Sequence, residues 1–202
     1  LYRSLTPNTT GNFNISTVII KTAFSTSDEN TSQTFENFSD NRLIIAKRLA
    51  EEYYGTTNYP VDTETGYPIG FGSKSQDVLL PSFLSAYKGS DPEKESTGIF
   101  RDIPIPNWDL KYTGLMKIPW FKKYFKRFSL QHGYRSGYTI NQFRTNLDYD
   151  SNNPEDLDQS GNFKSTTLLT NVNLIEQFSP LIRVDFEMKN SINILFELRK
   201  DR

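Results

Sequence analysis

The C-terminal end of the chain alternates apolar and polar residues with a period of two, and this limits what the segment can become. Ile182, Val184, Phe186 and Met188 alternate with Arg183, Asp185, Glu187 and Lys189. After Asn190 and Ser191 the pattern resumes, with Ile192, Ile194, Phe196 and Leu198 set against Asn193, Leu195, Glu197 and Arg199. A period of two places alternate side chains on opposite faces of an extended strand, so each run predicts a strand with one apolar face and one charged face. The pair predicts a β-hairpin. A two-residue turn would set Met188 opposite Ser191 and mix the faces. A three-residue loop sets Met188 opposite Ile192, Phe186 opposite Ile194 and Val184 opposite Phe196, and the matching of faces selects it.

Further strands are predicted upstream. Phe163 to Glu176 is rich in Thr, Val, Leu and Ile, with Leu168, Thr170, Val172 and Leu174 on one face, and Gln177 to Pro180 reads as the turn into the final hairpin. From Phe125 to Tyr149, one face carries Leu130, His132, Tyr134, Ser136, Tyr138 and Ile140, after which Phe143, Thr145 and Leu147 fall on the other; a bulge near Asn141 accounts for the slip. Trp108, Leu110 and Tyr112 alternate with Asp109, Lys111 and Thr113, and Phe13 to Phe24 is β-branched enough to form a first strand. The sum is about six strands.

Between the first two strands lies one helix signal. Asp40 is the expected N-cap, Leu43, Ala46, Ala50 and Tyr53 recur at helical spacing, and Gly55 stands as the C-terminal stop. The organisation expected is a first strand region at residues 1–25, a loop insertion at 26–105 with its helix near 41–54, and strands and hairpins from 106 to 202. The helix is expected outside any strand ladder, docked on a neighbouring element through its apolar stripe.

Composition removes several function classes. The 202 residues include no Cys and one His, which excludes disulfides and leaves too few ligands for a Cys/His zinc site. A net charge of −1 gives no broad electrostatic reason to bind nucleic acid. Mean hydropathy is −0.59, compatible with a soluble domain and equally with a barrel that alternates apolar and polar residues. No run of about 20 apolar residues is present, so any membrane crossing would use strands of roughly 9–11 residues. Six open strands cannot close a transmembrane barrel, since closure begins at about eight. The expected fold class is therefore all-β, and the residues leave two forms of it open: an antiparallel transmembrane β-barrel segment that is part of something wider, or a soluble β-sandwich.

The segment Pro106-Asn107-Trp108-Asp109-Leu110-Lys111-Tyr112-Thr113-Gly114-Leu115, followed by Lys117-Ile118-Pro119 and Phe121-Lys122-Lys123, resembles the SprA/Sov family, the outer-membrane translocon of the type 9 secretion system. His132-Gly133-Tyr134-Arg135-Ser136 with Tyr138-Thr139, Glu176-Gln177-Phe178-Ser179-Pro180-Leu181-Ile182 with Val184-Asp185, then Lys189-Asn190-Ser191 and Lys200-Asp201-Arg202 are similar to it in the same order. Upstream of Pro106 the likeness is loose, carried by Asn41-Arg42 and the helix after it. The family chain is many times longer, and this one reads as an internal or C-terminal piece that opens at Leu1 without Met or signal sequence. The resemblance implies a bacterial outer-membrane barrel of exceptional strand number, roughly 36 in the largest known. It implies passage of folded cargo proteins to the cell surface in support of gliding motility. The partners implied are the rest of the barrel, a PorV-like outer-membrane protein, a periplasmic plug protein, secreted cargo and outer-membrane lipid. It carries no enzymatic chemistry.

On that reading Arg183, Asp185, Glu187, Glu197 and Arg199 face a water-filled lumen, and Ile182, Val184, Phe186, Met188, Ile194, Phe196 and Leu198 face lipid. Trp120, Phe121, Lys122, Lys123 and Tyr124 are expected to anchor at the hydrocarbon boundary, where aromatic rings and snorkelling lysines are favoured, against a plain amphipathic turn packed inside the parent protein or a nucleic-acid stacking surface. In the sandwich alternative the same apolar face is a core, and the module binds carbohydrate or protein at the cell surface. His132 lacks the partners of a catalytic site and is expected to satisfy local hydrogen bonds. The acidic stretch Asp148, Asp150, Glu155, Asp156 and Asp158 offers oxygen ligands of the kind calcium takes, without the spacing of an EF-hand loop, and is expected to be a solvated loop. No catalytic, cofactor or metal site is predicted.

Overall fold

The computed structural model describes residues 8–25, 27 and 32–202; residues 1–7 and 26, with 28–31 at the start of the expected insertion, lie outside the described residues. In chain order the elements are β1 (Thr10–Ser16), a 3-10 turn (Ile20–Thr22), α1 (Gln33–Tyr54), α2 (Gln76–Lys88) and β2 (Trp108–Tyr112). A second 3-10 turn (Gly114–Lys117), α3 (Pro119–Tyr124), β3 (Phe125–Thr145), β4 (Thr167–Met188) and β5 (Asn193–Asp201) complete them. The strands form one sheet in the order β1-β3-β4-β5, with β2 also paired to β3, and both the β2–β3 and β4–β5 ladders are antiparallel. The fold is thus mostly antiparallel sheet with a few helices. No helix among the described residues is long and apolar enough to cross a membrane.

Among the described residues the strands number five, one fewer than expected, because β4 runs straight through the turn predicted at Gln177 to Pro180. Proline lacks an N–H and cannot join a regular ladder, but a bulge tolerates it. The β4–β5 register shifts between Phe178 and Ile182, which absorbs Ser179, Pro180 and Leu181 without ending the strand. His132 completes this arrangement: its Nδ1 lies 2.7 Å from the Leu181 carbonyl. A carbonyl only accepts, so Nδ1 carries the proton and donates. His132→Ala is expected to leave that partly buried carbonyl unpaired and to lower stability by about 1–3 kcal/mol. An unchanged denaturation midpoint would show that water replaces the ring without penalty.

The predicted bulge in β3 is found within one residue of its expected place. Gln142 has a φ of 64°, and Tyr134, Ser136, Tyr138 and Ile140 are all buried before it. Its N–H donates to Asn12 Oδ1 on β1 at 2.8 Å, so the left-handed residue is fixed by a bond from the neighbouring strand. The first strand, in contrast, is shorter than Phe13 to Phe24. The β-branched residues Ile19 and Ile20 lead into a 3-10 turn in which Thr22 Oγ1 donates to the carbonyl of Tyr87 on α2. Burial of Ile19 and Ala23 overrides the strand propensity of this stretch.

The chain separates into two compact units. The first comprises Leu1–Asn14, Ile19–Asp102 and Thr139–Asn173, and holds the helices α1 and α2. Helix α1 contains the expected residues 41–54 but begins at Gln33. Ser32 is its N-cap, accepting from Phe35 N at 3.4 Å, so Asp40 sits mid-helix and caps nothing. The polar run Ser39-Asp40-Asn41 imitates a cap because such residues favour helix starts, yet Asn41 instead donates to Ser85 Oγ of α2 at 2.8 Å. Gly55 ends the helix in the left-handed conformation, φ 65°, as its position predicts.

Helix α2 replaces what reads as loop punctuation in the sequence. Pro81 lies inside it and forgoes one i→i−4 hydrogen bond. Val78, Leu80 and Leu84 are nevertheless buried, and that packing outweighs the lost bond. The stripe of α1 predicted to need a partner finds it here in part, with Ala46 and Ala50 packed in one buried cluster with Val78, and Phe38, outside that stripe, adds an edge-on contact with Phe83 at 6.5 Å. Ala46, Ala50, Phe71 and Val78 form the unit's core, with Phe163 against it. Glu95 is buried beside Lys88 at 2.9 Å and Arg101 at 3.1 Å, and fixes the segment after α2. The second unit comprises Ile15–Val18, Ile103–Tyr138 and Leu174–Arg202, and its core is the cluster of Trp108, Tyr134 and Phe178 on β2, β3 and β4.

Candidate functional site

In the second unit the two faces of the sheet differ in chemistry. The β4–β5 ladder pairs Ile182 with Leu198, Val184 with Phe196 and Phe186 with Ile194, and Met188 N donates to the Ile192 carbonyl at 2.9 Å, so the three-residue loop is Lys189-Asn190-Ser191. Ser191 closes it with a φ of 67°. The β2–β3 ladder places Leu110 beside His132 and Tyr112 beside Leu130. Phe128 stacks on Phe186 at 5.8 Å, which joins β3 to the same apolar face. At the hairpin end this face is open, with Ile182, Ile194, Phe196 and Leu198 41–54% exposed and Leu110 and Tyr112 exposed as well, whereas Tyr134, paired with Trp108 two residues along the same face from Leu110, is buried. Val184, Phe186 and Met188 are partly covered.

The opposite face carries the charges, and they are matched. Arg183 lies 3.3 Å from Glu197, Arg127 lies 3.1 Å from Asp185, Lys126 lies 3.1 Å from Glu187, and Arg199 also pairs with Glu197. All five residues predicted as lumen-facing therefore share one face, joined by two cations from β3 that the sequence reading did not include. Their presence follows from a local irregularity. Phe125 and Phe128 both pack on Phe186, at 5.2 and 5.8 Å, although they are three residues apart. Regular alternation would put them on opposite faces; the intervening Lys126 and Arg127 both turn to the acidic side instead. The surplus residue is the signal that could have found them. Leu195 is the exception to the charged face, apolar and exposed.

The predicted anchor residues lie where β3 begins. Trp120 contacts Phe121 at 5.0 Å and Tyr124 at 5.3 Å, and Phe121 stacks on Phe125 at 5.6 Å, which leads to Phe128 and Phe186. The ring cluster is therefore continuous with the exposed apolar face. Lys122 and Lys123 are exposed, and Trp120 and Tyr124 remain open to solvent. Lys189 N donates to the Tyr124 carbonyl at 3.0 Å, tying the hairpin loop to the end of α3.

Two features of the first unit complete the inventory. The acidic stretch spends its carboxylates on its own turns: Asp150 accepts from Asn152 N, Asp158 accepts from Ser160 N and Asn162 N, and Asp156 pairs with Lys164. No group of three or more His, Asp or Glu side chains among the described residues is placed to hold a metal ion. An apolar groove of about 420 Å³, lined by Phe38, Leu79, Leu80, Phe83, Leu169 and Val172, runs beside α2. At its N-terminal turn Gln76 bridges β4, donating to the Thr167 carbonyl at 2.8 Å and accepting from Leu169 N at 2.9 Å.

Next to it, burial holds the Asp77 carboxyl above the ordinary carboxylate range, opposed by the hydrogen bond that Ser165 Oγ donates at 2.9 Å. A folded-state pKa above the unfolded one means the native state binds the proton more tightly. The stability this contributes is present at low pH and is lost as pH rises through the folded value. Asp77→Asn keeps the Ser165 bond and removes the titration, so the variant is expected to gain on the parent as pH rises from acid to neutral. Parallel stability curves across that window would contradict the assignment. Comparison with known proteins finds no family model that matches the chain and no curated protein that matches it.

Proposed function

We infer that the second unit is a stretch of wall in a protein-conducting barrel of the bacterial outer membrane, of the SprA/Sov type that serves the type 9 secretion system and gliding motility. The observation that carries this reading is the two-faced sheet, with an exposed apolar face backed by an ion-paired charged face. A lipid-facing wall needs an outward apolar band about 25 Å tall and a wetted inner face. The run from Ile182 to Met188 extends about 20 Å along the strand, about 15 Å of that height at a barrel strand's tilt, and it ends at the aromatic cluster, where a barrel places its girdle. A sandwich would bury the whole of this face under a second sheet, whereas at the hairpin end Ile182, Ile194, Phe196 and Leu198 stand open.

The wall works passively. Arg127, Arg183 and Lys126 alternate with Asp185, Glu187 and Glu197, so the inner surface holds water without holding cargo of either sign. Folded cargo passes it, while the rest of the barrel, a PorV-like protein and a periplasmic plug control the openings; no chemistry on the cargo is assigned to this chain. The test is secretion in cells carrying the variants in the intact parent protein. Reversal of Asp185 or Glu197 should leave cargo export nearly normal, and the protein should stay in the membrane fraction until detergent releases it. Release by salt or buffer alone, or loss of export from one reversal in a correctly inserted barrel, would defeat the reading.

A further inference from the structure

We propose that the end of the sheet formed by α3 and the hairpin loop binds the phosphate groups of anionic lipids, with Lys117, Lys122, Lys123 and Lys189 as contacts between the rings of Trp120 and Tyr124. The inference rests on the reading of the sheet as a lipid-facing wall and adds a headgroup preference to it. The cations are the first observation. Lys126 and Arg127, next along the chain, are neutralised by Glu187 and Asp185. Lys117, Lys122, Lys123 and Lys189 are all exposed, and none has an ion-pair partner among the described residues.

They are also gathered, although they come from distant parts of the sequence. The bond from Lys189 N to the Tyr124 carbonyl brings the hairpin loop to α3, and the Lys123 ammonium stands 5.4 Å over the Tyr124 ring. Four exposed lysines without ion-pair partners among the described residues give this end of the sheet a positive field that attracts an anionic surface. The surroundings decide which anion. Trp120 is 57% exposed and Ile118 and Ile192 are exposed beside the same elements, so the cations border aliphatic surface as well as rings. Nucleic acid offers stacking to the rings but nothing to the isoleucines, whereas the boundary of a bilayer offers hydrocarbon below and phosphate above. Each lysine near an anionic membrane surface strengthens binding about fivefold.

The full chain, in a Trp108→Phe background so that Trp120 is the sole tryptophan, would be titrated from detergent into vesicles of phosphatidylcholine alone or mixed with phosphatidylglycerol. Blue-shifted Trp120 emission reports burial. Binding to the anionic vesicles should be tighter, and the preference should fade with added salt. Replacing Lys117, Lys122, Lys123 and Lys189 by Gln should reduce the preference by at least about 100-fold while binding to neutral vesicles persists. If that variant fails to fold by circular dichroism, Lys123→Gln and Lys189→Gln singly should each lower it about fivefold. Equal affinity for both vesicle types, with the blue shift intact, would overturn the phosphate preference and leave the lipid-facing reading standing. No blue shift in either would overturn the placement of Trp120 at a lipid boundary, and with it the phosphate preference. Displacement by inorganic phosphate at low concentration, or tighter binding of a single-stranded oligonucleotide, would assign the lysines to a different ligand.

Discussion

Arg202→Ala is expected to destabilise the second unit by about 3–5 kcal/mol, the usual consequence of leaving a buried charge without its partner. Glu176 is 1% exposed on β4, and two side chains contact its carboxylate: Tyr134 Oη donates to Oε1 at 2.8 Å, and Arg202 Nη2 lies 3.2 Å from Oε2. The contact with Arg202 lacks hydrogen-bond alignment at Oε2, so it acts mainly through charge. Backbone bonds run both ways between Glu176 and Arg202 at 2.9 and 2.8 Å, which holds the guanidinium at that site. Removing it strands the carboxylate among apolar neighbours. Glu176→Gln should cost less, because an amide oxygen still accepts from Tyr134 and no charge remains buried. Adding Glu176→Gln to Arg202→Ala should therefore recover much of the loss, a coupling of the kind neighbouring charges show in a double-mutant cycle. Chemical denaturation of the four proteins measures it, and strict additivity would mean that the pair contributes nothing beyond its members.

What could be seen in the sequence, and what could not, divides along physical lines. The hairpin register was legible because a slip of one residue would invert Ile182, Val184, Phe186 and Met188 together, and the sequence allows only one loop that keeps the faces matched. The bulge in β3 was legible for the same reason, since a change of face leaves a trace in the alternation. Pro180 misled because its missing N–H marks a turn as readily as a bulge, and only the neighbouring strands decide between them. Helix α2 was hidden by Pro81, whose local effect is adverse and whose compensation, the burial of Val78, Leu80 and Leu84, is tertiary. Asp40 imitates an N-cap because its residue type favours helix starts, and only the contacts of Phe38 and Asn41 with α2 show that the helix extends back to Gln33, with Ser32 as its cap. The lysine-rich end at α3 was visible as composition. Its union with Lys189 was not, since that depends on a backbone bond between residues far apart in sequence.

If the apolar face meets lipid, charge placed on it should be far more damaging than charge placed one residue away. Phe186 lies within the band, stacked on Phe128 and edge-on to Phe125, and opposite Ile194. Phe186→Arg would put a cation inside the apolar band, three residues from Lys189, and remove the ring that joins the face to the aromatic cluster. The expected loss is about 1–3 kcal/mol, between the cost of a charge at the midplane and at the interface. Glu187→Arg lies on the other face, exchanges its pair with Lys126 for repulsion in a wetted setting, and should cost well under 1 kcal/mol. In a water-soluble sandwich with an open apolar face the order changes, because an arginine at position 186 would be solvated and would cost little more than the lost ring contacts. Measured as folding free energy in lipid and again in detergent micelles, the Phe186→Arg penalty should grow with the depth of the hydrocarbon, whereas the Glu187→Arg penalty should not. Equal penalties for the two substitutions in lipid would remove the assignment of faces and, with it, the reading of the sheet as a membrane wall.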